Sequence, residues 1–121
     1  MNVFKKGFSK SFKDELDIAQ TYYAMFSAFN QLELTQREIE LLAFTDLKGT
    51  ISTKPAKDEF VSFFKSSPAT LNNLISHLQR KKLLIKDSNY KIRVNSKIKM
   101  DYTKDKFILL FQLQKPEKNE S

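Results

Sequence analysis

The stretch "SSPATLNNLISHLQRKKLLIKDSNYKIRV", residues 66–94, holds a helix start, a polar helix, three consecutive bases and two short apolar runs around a polar tip. Ser67 followed by Pro68 reads as an N-cap and a first-turn proline. The hydroxyl accepts from an unpaired N–H, and the proline ring fixes a helical φ where no N–H is needed. At about 100° per residue, Leu71, Leu74, Ile75 and Leu78 fall within one stripe roughly 100° wide. That stripe faces a core. The opposite side carries Ala69, Asn72, Asn73, Ser76, Gln79 and Arg80, with no acid and no large apolar residue. A solvated helix face ordinarily mixes Glu with Lys. Here Asn and Gln are suited to bond adenine through two atoms each, and Arg to do so with guanine. Beyond the bases, "LLIK", "DSN" and "YKIRV" read as strand, turn and strand, with Tyr90, Ile92 and Val94 alternating against Lys91 and Arg93.

The charge of the chain is concentrated in the same place. Residues 79–99 hold eight bases (Arg80, Lys81, Lys82, Lys86, Lys91, Arg93, Lys97 and Lys99) against one acid, Asp87. The remaining thirteen bases and thirteen acids cancel, so this one stretch supplies the whole formal net charge of +7. A basic run beside a helix-turn-helix pattern is the footprint expected for a polyanion partner.

Upstream, Phe12, Leu16, Ala19, Tyr23 and Phe26 recur at helical spacing through residues 14–31, with Asp14, Glu15 and Asp17 at the positive end of the helix dipole. In "LTQREIELLAF", Thr35 and Glu38 form a capping box, Leu34 staples the entry, and Ile39, Leu41 and Leu42 face a core up to a stop near Lys48 and Gly49. "TIS" at 50–52 is a minimal strand candidate. "KPAKDEFVSFFKS" starts a helix near its proline and carries an apolar patch of Phe60, Val61, Phe63 and Phe64. Further on, Thr103 is a possible cap, and the run in "TKDKFILLFQLQ" fits a helix or a strand equally. A length of 121 residues bounds the chain to one domain. The expected organisation is a basic arm at 1–13, a single domain at 14–114 with its core at 34–98, and a mobile polar tail at 115–121.

The order of helix at 35–47, mini-strand at 50–52, helix at 55–65, helix at 68–81 and hairpin at 83–94 resembles the winged helix-turn-helix superfamily of DNA-binding domains. So does "TLNNLISHLQRKKLLIKDSNYKIRVNSKI", where a Leu-rich helix, a basic turn, Leu83-Leu84-Ile85, a polar tip and an aromatic followed by alternating residues succeed one another. The closing "YKIRVNSKI" is similar to the end of the wing in MarR-like regulators and plasmid-type replication initiators. Lys82 stands where the family often has glycine, and Ser96 where proline commonly follows Asn95. The resemblance spans residues 34–98. It implies a mainly α fold with a small β-hairpin, extended by an N-terminal helix and a C-terminal helix or strand.

The resemblance also implies a function: double-stranded DNA binding by a transcriptional regulator or replication-associated factor. Thr70, Asn72, Asn73, Ser76 and Arg80 would read bases from the major groove. Lys81, Lys82, Lys86, Lys91, Arg93 and Lys97 would meet the phosphate backbone. About six to eight such contacts imply strongly salt-dependent binding. Asp87 at the tip would face phosphate and is expected to serve only the turn. The alternative is a non-catalytic adaptor, such as a phage virion connector or ring component, that uses the same fold to bind protein.

Other function classes are disfavoured by content. There is no Cys and a single His, His77, which excludes thiolate and multi-histidine metal sites; with Gly only at positions 7 and 49, no phosphate-cradling loop is available. The carboxylate pairs Asp14/Asp17 and Glu38/Glu40 lie in helix first turns, where the dipole accounts for them. No enzyme activity and no cofactor or metal are expected. No stretch has the apolar length of a bilayer span, and the N-terminus lacks a leader's apolar run. A cytoplasmic protein of a bacterial or phage-infected cell is therefore the expectation. Tyr22, Tyr23, Phe26 and Phe29 read first as core. A second reading is a homodimer or protein contact made by 14–31 together with 103–114, which would set two DNA-reading helices about one turn apart.

Overall fold

The computed structural model describes residues 14–100. The basic arm at 1–13, the segment at 103–114 and the tail at 115–121 lie outside the described residues. Four helices and one antiparallel hairpin follow in chain order: α1 Glu15–Phe29, α2 Gln36–Lys48, α3 Lys54–Phe63, α4 Pro68–Arg80, β1 Leu84–Lys86 and β2 Ile92–Val94. The protein is thus mainly helical with a small two-stranded sheet.

Each helix begins at the side-chain cap its sequence offers. Asp14 accepts from the Asp17 N–H at 2.8 Å, and Thr53 accepts from Ala56 at 3.3 Å. Thr35 and Glu38 close the expected capping box, with Thr35 Oγ1 accepting from Glu38 N–H at 3.2 Å and Glu38 Oε1 from Thr35 N–H at 3.0 Å. Such reciprocal bonds satisfy first-turn donors that no helical carbonyl reaches.

The C-termini show the cost of a chain poor in glycine. Gly49, at φ +89°, ends α2. The other three helices turn through left-handed Gln31, Lys65 and Lys82, at φ +55°, +51° and +60°. After each, the next residue's N–H reaches back to a last-turn carbonyl: Leu32 to Ser27, Ser66 to Val61, and Leu83 to Leu78, all at 3.0 Å. These six-to-one bonds are Schellman turns, whose left-handed position favours glycine. Lys82 therefore does take the helix-ending geometry that the missing glycine demanded.

The core forms around α2, where Ile39, Leu41, Leu42, Ala43 and Phe44 are buried together with Ala19 and Tyr23 of α1, Phe60 of α3, and Leu71, Ile75 and Leu78 of α4. Phe44, Phe60 and Phe64 meet edge to face or tilted, with centroids 4.7–6.1 Å apart. Phe63 departs from the expected apolar patch and is 64% exposed. Three of the four aromatics in the α1 stripe also turn inward: Tyr23 is buried, Tyr22 and Phe26 pack half-buried against the core, and Phe29 is exposed. The Tyr23 hydroxyl donates to buried Asp46, and the Tyr22 hydroxyl donates to the Ile98 carbonyl at 2.9 Å. Burial, then the nearby Asp46 carboxylate, raises the Tyr22 phenol above its ordinary value.

Residues 50–52 do not form a regular strand, yet they pair with the hairpin. Ile51 N–H donates to Ile92 O at 3.1 Å, Thr50 Oγ1 donates to the same carbonyl at 2.9 Å, and Ser52 Oγ accepts from Ile92 N–H at 2.6 Å. One backbone bond and two hydroxyls thus hold β2 against the start of α3. In the hairpin, Leu84 faces Val94, Ile85 faces Arg93 and Lys86 faces Ile92. Leu84 and Val94 are buried, which turns Ile85 and Arg93 outward.

Candidate nucleic-acid interface

α4 is held by its apolar stripe: Leu71, Ile75 and Leu78 are buried and Leu74 half-buried. With that side fixed, the opposite side has one possible direction. Thr70, Asn72, Asn73, Ser76 and Arg80 are all exposed. No acid interrupts the helix. Ser67 Oγ accepts from Thr70 N–H at 3.1 Å and donates to Thr70 Oγ1 at 2.9 Å, so the Thr70 hydroxyl is partly committed to the cap. The N-terminal half of α4 borders a cleft of about 280 Å³. Pro68, Leu71 and Asn72 line it from one side, and Ser52, Lys54 and Lys57 from the other. Lys57 makes no ion pair among the described residues, and sequence reasoning passed over it because Asp58 and Glu59 follow directly.

The C-terminal half of α4 is tied to α2 by a buried carboxylate. Glu38 is 2% exposed, and its Oε2 lies 3.0 Å from His77 Nδ1 and 3.7 Å from Lys81 Nζ. Burial pushes its carboxyl up. The backbone hydrogen bond from Thr35, then Lys81, the Thr35 side chain and His77 outweigh that and hold it below its ordinary value. Glu38 is therefore more than a first-turn acid, because it fixes the end of α4 that carries Arg80. The same contact pairs the half-buried Lys81 with an acid inside the fold.

Arg93 also has an internal partner, although it stays exposed. Its Nε lies 2.8 Å from Asp87 Oδ2 across the hairpin. Asp87 Oδ1 accepts from Asn89 N–H at 2.8 Å and from Lys91 N–H at 3.0 Å. The hydrogen bond from Lys91, with further help from Asn89 and Arg93, holds the Asp87 carboxyl below its ordinary value. Asp87 thus serves the turn, as expected, and takes Arg93 with it. The other bases keep their charge outward: Arg80, Lys82, Lys86, Lys91 and Lys97 are exposed and make no ion pair among the described residues.

Asn95 joins helix end to hairpin end. Its Nδ2 donates to the Lys82 carbonyl at 3.0 Å, its N–H donates to Leu83 O at 2.9 Å, and its Oδ1 accepts from Lys97 N–H at 3.0 Å. Lys82 and Lys97 are thereby placed on either side of one hydrogen-bonded joint.

Comparison with protein-family models, with characterised proteins and with solved structures finds no significant match.

Proposed function

We propose that this chain is a winged helix-turn-helix protein that binds double-stranded DNA and catalyses no reaction on it. In this reading α4 enters the major groove and the hairpin is the wing. Asn72, Asn73, Ser76 and Arg80 read base edges, with Thr70 at the helix entry. Lys82, Lys86, Lys91 and Lys97 meet phosphates, and Lys57 is a further phosphate ligand. Lys81 and Arg93 move from the contact set to the scaffold, since each already answers an internal acid. A transcriptional regulator or a replication-associated factor would use such a module.

The observation that carries this reading is the pairing pattern. Among the described residues, five bases of α4, the hairpin and its joint make no ion pair, beside a helix face that is polar, exposed and free of acid. Buried or paired charges serve a fold; unpaired ones of one sign serve a field, and DNA is the polyanion whose groove admits a helix. The adaptor reading has exposed aromatics in its favour: Phe63 at the end of α3 beside the turn into α4, and Phe29 at the end of α1.

Backbone amide shifts followed while a mixed-sequence duplex is titrated in separate the two. Shifts concentrated in residues 69–80 and 86–91 are expected. Their absence at low salt from a folded protein would reject DNA binding and leave the adaptor.

A further inference from the structure

The alternation in "YKIRV" places Tyr90 on the inner face with Ile92 and Val94. The structure instead puts it in the turn at φ +62°. The residue is 79% exposed, more than any other large hydrophobic among the described residues. Its N–H donates to Asp87 O at 3.0 Å, but its ring and hydroxyl have no partner there. The turn closes without the ring. Asp87 Oδ1 takes the Asn89 and Lys91 N–H groups, and Asp87 N–H donates to Lys91 O at 2.9 Å. A bulky aromatic at positive φ is disfavoured where glycine or asparagine would serve. Here it occupies such a position and returns nothing to the core.

What it gains is presentation. The ring stands on a tied-down tip beside exposed Lys91, with Lys86 exposed at the end of the facing strand. An exposed aromatic side chain on a hairpin tip that also carries exposed lysines is the chemistry of a base-stacking platform. Inside a continuous duplex every base face is already covered. Such a ring gains a partner where a step is open or easily opened.

We propose that Tyr90 is a stacking wedge at the hairpin tip, directed at DNA that carries an unstacked base step. The proposal rests on the DNA-binding reading above and adds a preference that α4 does not supply.

The test compares a continuous duplex with a forked duplex of the same sequence, at one salt concentration. The first unpaired base of the fork is 2-aminopurine. The wild-type protein is expected to bind the fork about five- to tenfold more tightly and to quench the 2-aminopurine. Tyr90→Phe should keep both effects. Tyr90→Gly should lose both, hold the continuous duplex within about twofold, and melt at or above the wild-type temperature, because glycine suits the turn.

Equal wild-type affinity for the two DNAs would overturn the proposal, as would a fork preference that survives in Tyr90→Gly. So would Tyr90→Phe behaving like Tyr90→Gly, or a fall of several degrees in the melting of Tyr90→Gly. Failure of the wild type to bind either DNA at low salt would instead overturn the DNA-binding reading, and the wedge with it.

Discussion

Glu38 shows how one side chain sets the position of a surface. One carboxylate oxygen caps α2 through Thr35, and the other faces His77 and Lys81 on α4. Truncation to alanine removes both, and a lost cap of this kind costs about 1–2 kcal/mol, measurable by urea denaturation. Because the folded-state carboxyl sits below its ordinary value, its stabilisation is complete above the ordinary carboxylate range. It is lost as pH falls through the lower folded value. Glu38→Gln keeps the capping shape without the charge. Its thermal stability should therefore fall less steeply than wild type below about pH 5. Parallel acid limbs for the two proteins would contradict this role. The cap itself was legible in the sequence, since Thr35 and Glu38 are three residues apart. The link to His77 and Lys81 was not, because it depends on where α4 crosses α2.

At the scale of elements, local signals placed the helices well and the ends of the hairpin less well. Ser67 with Pro68, and Thr53 with Pro55, start their helices within a residue or two of the expected positions because caps act within one turn. Period-two alternation misplaced Tyr90, because four hydrogen bonds made by the Asp87 backbone and carboxylate lengthen the turn into the apparent strand. The apolar patch of α3 was likewise read one residue too wide, leaving Phe63 outside once Phe60 and Phe64 had filled the space beside Phe44. Lys82 links helix geometry to charge. It holds a left-handed turn that glycine would hold with less strain, and it keeps an exposed ammonium between α4 and the hairpin. Lys82→Gly should stabilise the fold by about 1 kcal/mol. The same substitution should lower the steepness of the salt dependence of DNA binding by about one. A destabilised variant in thermal melts would show that Lys82 contributes packing as well as charge.

Across the whole molecule, charge is divided between scaffold and surface. Eight bases in residues 79–99 suggested six to eight phosphate contacts. Internal acids engage Lys81, Arg93 and Lys99, the last at 3.9 Å from Asp46. Of the five that remain, Arg80 is assigned to bases; Lys82, Lys86, Lys91 and Lys97, with Lys57, set an expected slope of log K against log salt of about −5. The face itself was readable from sequence, since Asn72, Asn73, Ser76 and Arg80 follow from helical spacing alone. The pairing that thins the basic set was not, because Glu38 and Asp46 lie on α2, far from the basic stretch in the chain. Among the described residues, no helix is long and apolar enough to cross a membrane. The most direct measurement is fluorescence anisotropy of a labelled duplex across a salt series, with wild type beside the Asn73→Ala/Arg80→Ala double variant. The account predicts tight binding at low salt, a slope near about −5, and a loss of about tenfold or more in the variant, whose fold is unchanged by circular dichroism. A folded wild-type protein that shows no binding at low salt, or a variant that binds as tightly as wild type, would contradict it.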